Sequence, residues 1–268
     1  MTATTYTHRW NPPDRAAERP FGIYLLHGTG EHLGRYDRLA NHLASQGWCV
    51  GAHDHFGHGR SAGQRGLVTP DDILSTVAVE QLDAFAQESG SRPVLFGHSL
   101  GGVLATQLVI EHEVPVTGLM LSAPAFVPAM RRRDHVKLRL LSLIAPKLCL
   151  DLGYDPSRLT NDISEQQTAL ADELLHGYKS ASLVNWLLRT GRRMLDKADQ
   201  LNVKTLLMIP GADSVADPAE TRRFASKVAQ EILTVREYDG YFHELLNESP
   251  EWRSRVMDDM DQWLERLL

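Results

Sequence analysis

Gly97-His98-Ser99-Leu100-Gly101 sets a serine between two glycines, directly after the apolar run Pro93-Val94-Leu95-Phe96. A sharp strand-to-helix turn demands that spacing, because the serine backbone is strained and a side chain at either glycine would collide with its neighbours. Such a turn lifts the Ser99 hydroxyl clear of a sheet and leaves the Leu100 N–H for a developing oxyanion. A serine hydroxyl is a weak nucleophile at neutral pH; it needs a base, and the base needs an orienting group. Asp213 follows the apolar run from Leu206 to Ile209, and His243 follows the stretch from Val235 to Phe242. Together the three suit acyl transfer. Each has an ordinary reading alone: Asp213 suits a plain turn, and His243 is one of 12 histidines. Asp217-Pro218-Ala219-Glu220, however, has the form of a helix start, which occupies Asp217 and leaves Asp213 free.

A second oxyanion donor is expected from His27-Gly28-Thr29-Gly30, after the apolar run from Phe21 to Leu26. The glycines allow close approach, and the Thr29 N–H is the natural donor beside that of Leu100. His53, His55 and His58 stand at a spacing that also suits a metallohydrolase. Such a site wants an acid where Gly57 stands and further ligands downstream, and neither is found. No metal and no cofactor are therefore expected, and Asp54 with Gly57-His58-Gly59 reads as a tight loop beside the active site.

Elements that could position these groups follow from hydrophobic periodicity. Strands are expected at Phe21 to Leu26, Trp48 to His53, Pro93 to Phe96, Val116 to Ser122, Thr205 to Ile209 and Ile232 to Tyr238. Helices are expected at Arg35 to Gln46, Asp71 to Ser89, Gly102 to Ile110 and Pro250 to Leu268, with Gly47 and Gly90 as natural stops. Alternation of this kind means an α/β fold with a mostly parallel central sheet flanked by helices. The loops after its strands emerge at one edge, and the order Ser99, Asp213, His243 is that of an α/β-hydrolase fold. Between Pro124 and about Leu201 no strand is expected. The simplest reading is a helical cap inserted after the sixth strand of the fold. Residues 1–123 and 202–268 then form the core, and 124–201 the cap or lid.

Composition narrows the classes. A net charge of −6 argues against a nucleic-acid partner. The N-terminal residues carry no apolar signal segment, and no run approaches the roughly 18 apolar residues of a membrane span. Only Cys49, in an expected strand, and Cys149, in an expected helix, are present. A disulfide framework is not indicated, and a cytoplasmic setting is expected.

Three motifs carry a family likeness: His27-Gly28-Thr29-Gly30-Glu31-His32 with Arg35-Tyr36, Asp54 with Gly57-His58-Gly59, and Gly97-His98-Ser99-Leu100-Gly101-Gly102. With Asp213, Asp217 and Tyr241-x-His243-Glu244, they resemble the monoacylglycerol lipase and lysophospholipase branch of the α/β-hydrolases. The resemblance implies a carboxylic ester hydrolase acting on lipid-like esters, with Ser99 as nucleophile, His243 as general base and acid, and Asp213 as orienting carboxylate. Thr29 and Leu100 would form the oxyanion hole. Glu31 and Arg35 match positions at the polar, glycerol-side end of the pocket, or else form a loop ion pair. Mammalian monoacylglycerol lipases carry a second histidine three residues after the catalytic one, where this chain has Leu246.

The segment from Met130 to Leu141 mixes cations with apolar residues at helical spacing. It suits a lid helix on a membrane surface, giving a membrane-peripheral enzyme, or a cap helix with a solvated basic face. Leu148, Leu150, Leu152, Trp186 and Leu187 either line an acyl-chain pocket under the cap or form cap core. The triad does not separate an ester from a thioester, so a general carboxylesterase or thioesterase stays open. A catalytically silent ligand-binding module on the same fold is the rival from another class.

Overall fold

Side chains alternate across a strand, so a central parallel strand must be apolar on both faces. The sequence obeys this in several places. Leu119 and Leu121 face one core while Met120 faces the other; Leu207 and Ile209 oppose Leu206 and Met208 in the same way. A computed structural model describes residues 4–13, 19–69, 72–129 and 141–268. Its strands are β1 (Thr7–Trp10), β2 (Ile23–Leu26), β3 (Val50–His53), β4 (Val94–His98), β5 (Gly118–Ser122), β6 (Cys149–Asp151), β7 (Tyr178–Ser180), β8 (Thr205–Pro210) and β9 (Leu233–Tyr238). The main sheet runs β1-β3-β2-β4-β5-β8-β9. Every neighbouring pair in it is parallel except β1 with β3.

Helices α1 (Asp37–Ser45) and α7 (Pro250–Glu265) cover one face, and α2 (Ile73–Ser89) and α3 (Leu100–Ile110) cover the other. Val256, Met260 and Leu264 of α7 are fully buried, each contributing about 1.5–3 kcal/mol of apolar transfer. Gly90 ends α2 in the left-handed region at φ +66°, as a glycine stop should.

The excursion between β5 and β8 differs from expectation. Cys149, expected in a helix, lies in β6, which pairs antiparallel with β7. Strands of three residues are too short for an alternating pattern to declare itself. The edge strand β1 was not expected either; Thr7-His8-Arg9-Trp10 is mostly exposed and polar, as edge strands tend to be. Helices α4 (Ile163–Ala171) and α5 (Ala181–Asp196) complete the excursion, followed by α6 (Pro218–Ala225) after β8. α5 packs on α3, and the interior glycine Gly191 explains how closely it approaches: a Cβ there would strike the Phe126 carbonyl. Residues 130–140, which hold nearly all of the expected basic lid helix, lie outside the described residues.

Candidate active site

Ser99 caps α3 with φ +53° and ψ −115°. That strain costs on the order of 1–3 kcal/mol and persists only where the surroundings fix it. Here they do. Ser99 N–H donates to Ser122 O at 3.0 Å, and its carbonyl accepts from Ala125 N–H at 3.1 Å. A Cβ on Gly97 would sit on the Gly101 carbonyl, and one on Gly101 would sit on the Leu26 carbonyl. Leu100 is the first residue of α3, where a helix leaves its N–H groups without intrahelical partners.

His243 Nδ1 lies 2.6 Å from Asp213 Oδ2. The other carboxylate oxygen accepts from Val215 N–H at 2.7 Å and Ala216 N–H at 3.0 Å. Burial resists charge on His243, but the Asp213 carboxylate outweighs it, and the imidazole pKa rises above 6.5. Asp213 itself is buried, which pushes its pKa up, yet His243 and the backbone donors hold it below the usual carboxylate value. Asp217, meanwhile, accepts from Ala219 N–H at 2.9 Å as the cap of α6.

Ser99 and His243 line one cavity of about 430 Å³, together with Gly28, Thr29, Glu31, His98 and Glu244. The two loops expected to hold the oxyanion therefore meet there. Thr29 is tied indirectly to the excursion: His176 N–H donates to Gly30 O at 3.0 Å, with Gly30 at φ +79°. The apolar wall comes largely from the excursion and includes Leu152, Leu159, Val184 and Leu187.

Behind the cavity a buried polar network forms. Glu31 Oε1 accepts from Tyr36 Oη at 2.8 Å and from Gly28 N–H. Burial, helped by the charge of Glu244, raises the Glu31 carboxyl to about 7. Arg35 pairs with Glu244 at 2.6 Å, both side chains 7% exposed, so the partner of Arg35 is Glu244 and not Glu31. Burial acts to raise the Glu244 carboxyl, but the Arg35 guanidinium overrides it and keeps the carboxyl low. Tyr154 Oη reaches Glu244 at 3.5 Å.

Among the remaining site candidates, Leu246 borders a space of about 10 Å³ beside Arg35 and His98, separate from the main cavity. Trp186 is 5% exposed in the core cluster with α3. Leu148 and Leu150 are 43% and 44% exposed, and none of these three leucines, nor Trp186, lines the main cavity. Leu150 lies in β6, and Leu148 just before it, where a helix was expected. Sequence reasoning missed His98, Tyr154 and Lys179 as lining residues and gave Glu244 no task. Glu244 alone had a signal, since it sits inside the Tyr241-x-His243-Glu244 motif.

The histidines at 53 and 55 spend both ring nitrogens on the protein, whereas His58 Nδ1 lies 3.0 Å from Phe56 O and its Nε2 has no hydrogen-bond partner among the described residues. Tyr24 Oη lies 3.0 Å from His53 Nδ1, His53 Nε2 lies 3.2 Å from His55 Nδ1, and His55 Nε2 lies 2.9 Å from His27 O. One pattern serves these three contacts: His53 and His55 each donate from Nε2 and accept at Nδ1, while His58 donates from Nδ1 to Phe56 O. Burial pushes His55 down to about 4 and His58 to about 3, so these rings stay neutral. No cluster of three metal-ligating side chains occurs among the described residues. The group instead braces the loop that bears Thr29.

A mostly parallel sheet whose carboxyl edge carries a strained serine turn, ahead of a carboxylate-held histidine, defines the α/β-hydrolase class. The family model described as serine aminopeptidase, S33, matches residues 21–250, and the chain belongs to that hydrolase family. The monoglyceride lipase of Mus musculus is 29% identical over 251 residues, covering 90% of this chain and 81% of its own. The crystal structure of Paleococcus ferrophilus monoacylglycerol lipase aligns with a TM-score of 0.87 at 28% identity, over 99% of this chain and all of that one (100%). A soluble variant of Saccharomyces cerevisiae monoglyceride lipase, solved with a substrate analog, shares the fold with a TM-score of 0.89 at 20% identity, over 100% of this chain and 93% of its own. No described helix is long and apolar enough to cross a membrane.

Proposed function

We propose that the chain hydrolyses lipid-like carboxylic esters of the monoacylglycerol or lysophospholipid type through a Ser99–His243–Asp213 triad. The observation that carries this reading is the 2.6 Å His243–Asp213 contact in the same cavity as the strained Ser99 turn. Asp213 accepts the Nδ1 proton and so leaves Nε2 bare, the tautomer a general base needs. His243 removes the Ser99 proton as the hydroxyl attacks the ester carbonyl. The N–H groups of Thr29 and Leu100 bind the oxyanion. His243 returns the proton to the leaving alkoxide, then activates water, which releases the acid from the acyl-enzyme. No step requires a cofactor. The names of the relatives in mouse and Paleococcus support an ester substrate.

Residues 124–201 act as the cap over a core of 1–123 and 202–268. Leu152, Val184 and Leu187 take the acyl chain, and Glu31, Tyr154 and Glu244 face the polar end. Arg35 acts there through Glu244. Leu143 and Ile144 are 76% and 83% exposed, and Leu148 and Leu150 are also exposed; the basic stretch ending at Arg139 precedes them in the sequence, outside the described residues. That combination suits transient contact with an anionic membrane by a cytoplasmic enzyme.

A second reading, a general carboxylesterase, draws on Leu246, an apolar side chain where a head-group histidine is expected. The test is kcat/KM over monoacylglycerols, lysophospholipids and simple alkyl esters of equal acyl length, with Ser99→Ala as the blank. A tenfold preference for the glycerol-based esters is expected. Faster turnover of simple esters would replace this reading with the second.

A further inference from the structure

Lys179 stands on the cavity side of the β6–β7 hairpin and lines the main cavity with Arg158. Among the described residues, its amino group has no hydrogen bond or ion pair. Asp151 attracts it, but Asp151 lies opposite Tyr178 in the register while Lys179 lies opposite Leu150. Residues one apart along a strand point to opposite faces, and Asp151 Oδ1 is already bound to Gly153 N–H at 3.0 Å. Burial lowers the Lys179 pKa, and Arg158 adds to that. An anion in the cavity would relieve both effects.

Arg158 keeps its place by donating to Ser214, through Nε at 3.3 Å to the hydroxyl and through Nη2 to the carbonyl. Its Nη1 remains for a further acceptor. Three acids share the cavity: Glu31 binds Tyr36 and Gly28 N–H, Asp155 Oδ1 binds Ser157 N–H and Oγ at 3.2 and 2.6 Å, and Glu244 binds Arg35. Thus one wall of the cavity carries two cations, and neither makes an ion pair among the described residues.

We infer that Lys179 and Arg158 form an anion subsite, so that the preferred ester carries a phosphate or carboxylate elsewhere in the same molecule. This rests on the serine-ester reading above. The anionic group is bound and never cleaved; the balanced reaction remains ester plus water giving acid plus alcohol. Charge pairing in a partly dehydrated cavity is stronger than at an open surface, and a neutral monoacylglycerol would leave the cations unpaired.

The test compares 1-acylglycerol-3-phosphate with 1-acylglycerol of the same chain, both below their aggregation limits, in wild type, Lys179→Gln, Lys179→Arg and Arg158→Gln. The ratio of kcat/KM, anionic over neutral, should fall tenfold or more in Lys179→Gln and Arg158→Gln, through KM. Lys179→Arg should restore it. Inorganic phosphate should compete with the neutral ester in wild type and lose potency in Lys179→Gln. An unmoved ratio overturns the subsite, and so does an equal loss on both esters, which marks a structural role. Competition by phosphate with an unmoved ratio overturns the substrate assignment, because the cations then take only free anions. Ser99→Ala separates the two claims: retained turnover there breaks the serine reading itself.

Discussion

The carboxyl edge of the sheet and the excursion over it are built on different terms. At the edge, every functional group is fixed by backbone that admits no substitute: Gly97 and Gly101 have no room for a Cβ, and Ser99 is held at φ +53°. Behind it His53 and His55 are buried and hydrogen-bonded in a chain that reaches the loop bearing Thr29. The excursion has three-residue strands and leaves Leu143, Leu150 and Leu152 exposed. Chemistry demands geometry good to a fraction of an ångström, whereas substrate choice needs only a surface of suitable polarity. The edge thus fixes residue identity, and the excursion fixes only character.

Substitutions that break this contrast hardest fall on the edge. Ser99→Ala should keep the melting temperature of the wild type and lose about 10³-fold to 10⁶-fold in kcat; turnover within tenfold of wild type would remove the serine from the mechanism. Asp213→Asn comes next, with a loss of about 10⁴-fold, because an amide that donates to Nδ1 forces the wrong tautomer on His243. The pH profile sharpens the point. His243 must be neutral to act as base and its pKa is raised, so the acid limb of kcat/KM should lie above 6.5. Asp213→Asn removes the charge that raises it, and the limb should then move to lower pH.

The histidine chain makes a smaller, separate prediction about stability. His55 and His58 titrate at about 4 and about 3 in the folded protein, below the ordinary value of 6.5. On acidification the unfolded chain takes up these protons first. Stability is therefore fully present above pH 6.5 and drains as pH falls toward those values, by up to about 1.4 kcal/mol per pH unit for each histidine. Urea midpoints between pH 7 and 5 measure it. His58→Gln should flatten that slope by about one histidine, and an unchanged slope would mean that the ring is not buried neutral.

Legibility followed the same divide. The positions of Ser99, Asp213, His243 and Thr29 at the carboxyl edge could be expected because strained turns and parallel strands leave long, specific patterns of glycine and apolar residues. The expected core strands and helices lie within three residues of the observed ends, for the same reason. β6 and β7 were not expected, since three residues carry no period. Arg35 was read as facing Glu31 or the substrate because its true partner, Glu244, is 209 residues away. Nothing in a local pattern reports so distant a contact.

The gentlest test lies within the excursion itself. Leu187 of α5 lines the cavity, while Leu150 of β6 is 44% exposed and lies outside it. Truncating Leu187 to Ala removes apolar surface that a long acyl chain would cover, worth about 1 kcal/mol or about fivefold in kcat/KM. The loss should shrink toward zero for an acetyl ester, which does not reach that wall. Leu150→Ala should change neither ester by more than about twofold, since its side chain already meets water. Equal losses in the two variants would mean that the hairpin closes over the substrate and that Leu150 turns inward when it does. The wall would then belong, like the carboxyl edge, to the part of the molecule where residue identity is fixed.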